Sequence, residues 1–200
     1  LLSQSGLRQD QVPQLFEGSE PIGTLKAGLA KKWGVSPKVI VIAGGGDNAV
    51  AACGVGALKE GDGFVSLGTS GVLLAAKDSF AHLPASAVHT FCHAVPGKWY
   101  QMGVILAATD SLNWLARNLG KDAAALSNAL GDRISGPNAM QFLPYLSGER
   151  TPHNDSAVRG AFLNIDISAT CDDLTQSVME GVSFALRDSL EALKLTGTNL

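Results

Sequence analysis

Val39-Ile40-Val41-Ile42-Ala43-Gly44-Gly45-Gly46-Asp47-Asn48-Ala49 is the stretch whose reading decides the fold. Four consecutive aliphatic residues make a run of strand length, and a run without alternation is expected to be buried on both faces. Three glycines follow, which leave room for a ligand to approach the backbone closely. Ala49-Val50-Ala51-Ala52 then opens a tight helix of small residues. Strand, glycine turn and helix in that order describe an α/β unit. An acid at the carboxyl end of a buried strand stands where open α/β sheets bind their ligands. Asp47 is therefore a candidate functional residue. A plain capping role at the start of the next helix would use the same side chain, and spacing does not separate the two.

A second glycine turn lies close by. Gly61-Asp62-Gly63 punctuates the chain. Phe64–Leu67 and Val72–Ala76 then read as two strands joined by Gly68-Thr69-Ser70-Gly71, a hairpin tipped with hydroxyls. Backbone N–H groups in such a turn can form an anion nest, and Thr69 and Ser70 add donors suited to phosphate oxygens. An ordinary hairpin turn has the same composition, so it is the nearness of the two glycine turns that favours a binding role for both. Gly44-x-Gly46-x-x-Ala49 also matches the dinucleotide fingerprint after a strand. The acid expected about 20 positions on is missing, because that strand ends Ser66-Leu67-Gly68-Thr69. The Walker A pattern and Gly-x-Ser-x-Gly are both absent, so a P-loop and a hydrolase nucleophile have no anchor.

Outward from this centre, Leu25 to Trp33 reads as a helix. Thr24 is its expected cap, Leu25, Leu29 and Trp33 its buried face, and Gly34 its left-handed stop. His89-Thr90-Phe91-Cys92-His93 reads as a strand before the Pro96-Gly97-Lys98 turn. Alternation scatters its His and Cys side chains over both faces, so no metal site is expected there. Thr109 to Leu119 is a helix with Leu112, Leu115 and Leu119 inward and Gly120 closing it; Ala123 to Leu130 is a weaker one. Phe142 to Leu146 reads as a short strand. In the polar loop that follows, Glu149 and Arg150 read either as a surface ion pair or as the lining of a cleft, and His153 as solvated. Asp172 to Leu195 is a long helix with a Thr170/Asp173 capping box and a core-facing stripe from Leu174 to Leu193.

Composition bounds the rest. A chain of 200 residues suggests one large domain or two modest ones, and 46% apolar residues suffice for a core, which excludes disorder. Charged residues make up only 16% against a usual level of about 25%, so much of the surface is neutral or is covered by something outside the chain. Fifteen Lys and Arg against 18 Asp and Glu give a net charge of −3 with no basic stretch, so no nucleic-acid partner is expected. No apolar run reaches about 18 residues, so no membrane span is expected. Leu1-Leu2-Ser3-Gln4 is too short for a signal-peptide core and lacks an initiator Met. Cys53, Cys92 and Cys171 are odd in number and widely spaced, so a disulfide framework or zinc site is not expected and a reducing cytoplasm fits. Asn154-Asp155-Ser156 is a glycosylation sequon without a secretory context.

Four ordered motifs carry a family resemblance over nearly the whole chain. Val41–Ala49 and Ser66–Val72 resemble the FGGY family of carbohydrate kinases; His89-Thr90-Phe91-Cys92-His93-Ala94 and Phe142–Asn154 resemble its xylulokinases. The resemblance implies a partial actin-like, ribonuclease-H-type α/β fold. Residues 1–59 would end a sugar-binding first domain, and residues 60–200 would begin an ATP-binding second domain. It further implies Asp47 as catalytic and sugar-binding, Asn48 as sugar-binding, and Gly68, Thr69 and Ser70 as contacts to the ATP phosphates. ATP and Mg²⁺ are the implied cofactors, a small sugar the partner, and a homodimer is compatible with it. The implied reaction is phosphorylation of D-xylulose to the 5-phosphate. Ribulose, gluconate or glycerol as substrate, or a nucleotide-binding actin-like module without phosphotransfer, are the alternatives. Two positions depart from the family pattern: Asn164 stands where Gly precedes the aliphatic Ile165, and Ser156 where Pro is common. The family's Asp-Gly-Thr phosphate loop and its adenine-binding segment are not in the chain, which reads as an internal piece of a longer protein, inactive alone.

Overall fold

A computed structural model describes residues 2–132 and 136–200; Leu1, in the opening stretch discussed above, lies outside them. The chain opens on a single helical turn, α1 (Leu2–Ser5). An antiparallel pair follows, β1 (Pro21–Thr24) and β2 (Ile40–Ile42), with α2 (Ala27–Trp33) between its strands. Helix α2 starts later than the sequence suggests. Thr24 is held in β1 opposite Ile40, so it does not cap, and the N-cap is Lys26 without a side-chain bond. The stop is as expected: Gly34 adopts φ 68°. The buried strand is corrected. Ile40 and Ile42 are 63% and 54% exposed, as is 60% of Trp33 on α2. An apolar run specifies a strand; it does not supply the layer that covers it, and none of the described residues does.

The glycine turn leads into α3 (Asp47–Val55), which ends at Gly56 in the left-handed conformation. A four-stranded antiparallel sheet follows, of β3 (Gly63–Leu67), β4 (Gly71–Lys77), β5 (His89–Cys92) and β6 (Trp99–Ile105), in the order β3-β4-β6-β5. Strand alternation sends side chains to two covered faces. On one face Leu74 and Tyr100, with Phe64, Val72 and Met102, pack against Ala49 and Ala52 of α3. On the other, Leu73 meets Ala192 and Leu193, and Ile105 meets Ala185, all from one long helix.

That helix is α6 (Cys171–Leu195), preceded by α4 (Thr109–Leu119), α5 (Ala123–Ala129), β7 (Gln141–Leu143) and β8 (Ala161–Leu163). The capping box at Thr170 and Asp173 forms as expected. Helix α6 lies close on the sheet because Gly103 of β6 has no side chain there: a Cβ would stand 2.6 Å from that of Ser189. Gln101, fully buried, accepts from the Thr196 hydroxyl at 2.8 Å and so ties the end of α6 to β6. Leu115 and Ala116 of α4, Leu126 of α5 and Phe142 of β7 join Val178 of α6 in a further core. Leu119, expected inside, is 37% exposed. Strand β7 stops at Leu143 rather than Leu146, since Pro144 has no N–H to give a ladder. Asn164 takes φ 59° in the place where Gly is usual.

Candidate active site

The hairpin tip Gly68-Thr69-Ser70 is fixed by its carbonyl oxygens. Gly68 O accepts from the Thr109 N–H at 3.0 Å and from the Thr109 hydroxyl at 2.7 Å. Thr69 O accepts from Ala108 N–H at 2.8 Å, and Ser70 O from Gly68 N–H at 3.0 Å. The first amide groups of α4, which would otherwise lack partners, are satisfied in this way. Among the described residues the N–H and hydroxyl groups of Thr69 and Ser70 donate to nothing. The bend therefore points its carbonyls inward at α4 and keeps hydrogen donors free, with Thr69 exposed. Free donors on a backbone held from behind suit an oxyanion such as phosphate.

Asp47 stands in the first turn of α3, at the positive end of the helix dipole. Its Oδ1 accepts from the Asn48 N–H at 2.7 Å and from Asn48 Nδ2 at 3.3 Å, so the two candidate residues form one unit. Asp47 is exposed and Asn48 half-buried. The Tyr100 phenol is pushed above its usual range by burial first and by the Asp47 carboxylate second. No hydrogen bond joins Asp47 to the hairpin tip among the described residues. Both belong to one packed unit, because Val72, two residues past Ser70, packs in the cluster that seats α3.

A cavity of about 460 Å³ is lined by the Gly44–Gly46 turn that precedes Asp47, by Ala49 and Cys92–Ala94, and by Leu15–Gly18 with Glu20. The glycines here also serve packing: a Cβ on Gly45 would stand 3.0 Å from that of Ala94. Strand β5 places His89 and Phe91 on one face, their rings 5.7 Å apart. His93 is buried; its Nδ1 accepts from Val95 N–H at 3.1 Å, which leaves Nε2–H to donate to Ala57 O at 3.2 Å. Among the described residues no group of three His, Cys, Asp or Glu is gathered. Next to the hairpin tip, an apolar groove of about 220 Å³ is lined by Leu67, Ala108, Leu112 and Met179 among others.

Glu149 is the residue that sequence reasoning undervalued. It forms no surface ion pair: only 3% of it is exposed. Its Oε1 accepts from Leu106 N–H at 3.0 Å and Arg150 N–H at 2.7 Å, while the buried Oε2 has no partner. Burial raises its carboxyl above the usual range, against the pull of those two amides and of His153 and Arg150. His153, expected to be solvated, is exposed but lies 2.9 Å from the Tyr145 hydroxyl.

Residues 63–200 match the FGGY family of carbohydrate kinases, C-terminal domain, and residues 1–54 match its N-terminal domain. The chain belongs to the FGGY family of carbohydrate kinases. Over 198 residues it is 42% identical to the xylulose kinase of Escherichia coli strain K12, covering 98% of this chain and 41% of that protein. The xylulose kinase of Lactococcus lactis is 40% identical over 92% of the chain and 37% of its own length. A crystal structure of a xyloylose kinase from Brucella ovis superposes with a TM-score of 0.94 at 51% identity, over 99% of this chain and 41% of that one. A gluconate kinase of Lactobacillus acidophilus, at 24% identity and a TM-score of 0.85 over 96% of this chain and 39% of its own, shares the fold. The fold is thus α/β, that of the FGGY kinases with their actin-like ATPase architecture. The chain spans 41% of the length of the E. coli relative. None of its helices is long and apolar enough to cross a membrane among the described residues.

Proposed function

We propose that the protein carrying this chain transfers the terminal phosphoryl group of ATP to a sugar hydroxyl, converting D-xylulose to D-xylulose 5-phosphate. The observation that carries the reading is the 42% identity to a xylulose kinase over 98% of the chain. Residues 1–59 then form the end of a sugar-binding domain and residues 60–200 the start of an ATP-binding one. Asp47 and Asn48 face the sugar, and the Gly68-Thr69-Ser70 turn holds the phosphates through the free donors of Thr69 and Ser70. The apolar groove adjoining the tip would take other parts of the nucleotide. The setting is cytoplasmic, the partners are small molecules, and the assembly is a homodimer.

Phosphoryl transfer is mainly a matter of positioning and electrostatic stabilisation. Asp47 accepts a hydrogen bond from the attacking hydroxyl and so aims its oxygen at phosphorus. As the new O–P bond forms, the hydroxyl proton passes to the carboxylate and ADP departs with the electrons of the broken bond. Carboxylates are weak bases toward an alcohol, so orientation comes first and proton acceptance late; such groups contribute about 10²–10⁴-fold. Closure of the two domains would exclude water and limit ATP hydrolysis. Mg²⁺ would neutralise phosphate charge. Among the described residues no group of three His, Cys, Asp or Glu stands ready to hold it.

Asp47→Ala tests the assignment in the full-length protein. Xylulose-dependent ADP release should collapse while ATP binding stays largely intact. Turnover near wild type would show that Asp47 has another role. A panel of xylulose, ribulose, gluconate and glycerol fixes the acceptor.

A further inference from the structure

We infer that Glu149 is a positioning residue for the phosphate-holding turn, acting through the start of α4. The inference deepens the kinase reading and rests on it. Three hydrogen-bonded links carry it. Glu149 Oε1 holds the Leu106 N–H at 3.0 Å, immediately after β6 ends at Ile105. Two and three residues on, Ala108 and Thr109 bind the carbonyls of Thr69 and Gly68. Those carbonyls fix the bend whose opposite side presents the free donors.

The loop is itself braced on the same strand. Thr151 N–H donates to Val104 O at 3.0 Å, and Val104 N–H donates to the Thr151 hydroxyl at 3.0 Å. That hydroxyl donates in turn to Ala87 O at 3.0 Å. Beyond His89, where β5 begins, Glu149 and Thr151 thus continue the outer edge of β6 and meet alternate residues, Leu106 and Val104. A neutral residue at 149 could fill the space. Only an acceptor can hold Leu106 N–H, and a carboxyl kept in a site that raises its proton affinity, with one oxygen unpartnered, needs a reason beyond packing. Control of the β6–α4 junction supplies that reason.

Three variants of the full-length protein, with hydrogen exchange alongside, test this. Glu149→Ala removes the acceptor. Glu149→Asp keeps the charge but draws it back by one methylene, and it serves if the alanine variant does not fold. Glu149→Gln keeps an acceptor at the same reach. The expected result is a rise in the KM for ATP of about tenfold in the Ala or Asp variant, the scale of one hydrogen bond to a charged group. The KM for xylulose should stay within about twofold, and Glu149→Gln should restore the ATP value. Exchange at the Ala108 and Thr109 amides should quicken in the Ala and Asp variants and not in Gln. A uniform loss in both KM values and kcat, or unchanged ATP affinity, overturns the inference. If wild type shows no sugar-dependent ADP release, the kinase reading fails, and exchange at Ala108 and Thr109 alone then decides whether Glu149 governs the turn.

Discussion

Two glutamates respond to pH in opposite senses, and each sense follows from its surroundings. Glu60 pairs with Lys77, which is only 5% exposed, and also accepts from Asp78 N–H at 2.7 Å; its carboxyl is held below the usual range, chiefly by Lys77. It adds stability above its unfolded value that is lost as pH falls. Glu149 is the reverse. Burial raises its folded proton affinity above the unfolded one, so the native carboxyl gives up its proton at a higher pH than the unfolded one does. Stability from this group is full below the ordinary carboxyl value of about 4.3 and declines as pH rises through the folded value. The groups facing it are Arg150, His153 and Tyr145. Glu149→Gln has no such slope. The difference in Tm between Glu149→Gln and wild type should therefore shift in favour of the variant as pH rises above about 4.3. Parallel melting curves against pH would show that Glu149 titrates as an ordinary surface acid.

Helix α6 and helix α3 use glycine for different ends. Gly181 of α6 packs on the backbone of β7: a Cβ would stand 2.2 Å from Phe142 O. The clash is with main chain, which has no rotamer to change, so Gly181→Ala should cost about 1–3 kcal/mol. Gly54 of α3 has nothing within 4 Å of a built Cβ. Gly54→Ala should stabilise the chain by about 0.5–1 kcal/mol through helix propensity and a less disordered unfolded state. Chemical denaturation of the pair reads both signs, and equal effects would refute the packing account. The helices themselves were legible in sequence where local chemistry marks their ends. Gly34 and Gly120 stop α2 and α4 in left-handed conformations, and Thr170 with Asp173 starts α6. Thr24 misled because a competing strand took it. Glu149 misled because Ser147-Gly148-Glu149-Arg150 has the composition of a solvated loop; its burial comes from β6 and is not encoded locally.

At the scale of the molecule, what sequence pattern cannot convey is what lies over a surface. Ile40, Ile42 and Trp33 are between 54% and 63% exposed, although periodicity and an apolar run assign them to interiors. Exposed apolar patches of this kind mark interaction surfaces. The candidate site follows the same logic: its residue types were readable because each has a distinctive chemistry, whereas the carbonyl tether to α4 was not, because main-chain partners leave no mark on side-chain identity. The two-domain reading predicts that the purified 200-residue chain alone shows no xylulose-dependent ADP release. Robust turnover by that chain would contradict it.

Helix α3 meets Leu74 and Tyr100 through Ala49 and Ala52, side chains without rotamers. Alanine has no rotamer freedom to lose on burial, so seating the helix on these two side chains adds no side-chain entropy cost to the ordering of the carboxylate at its head.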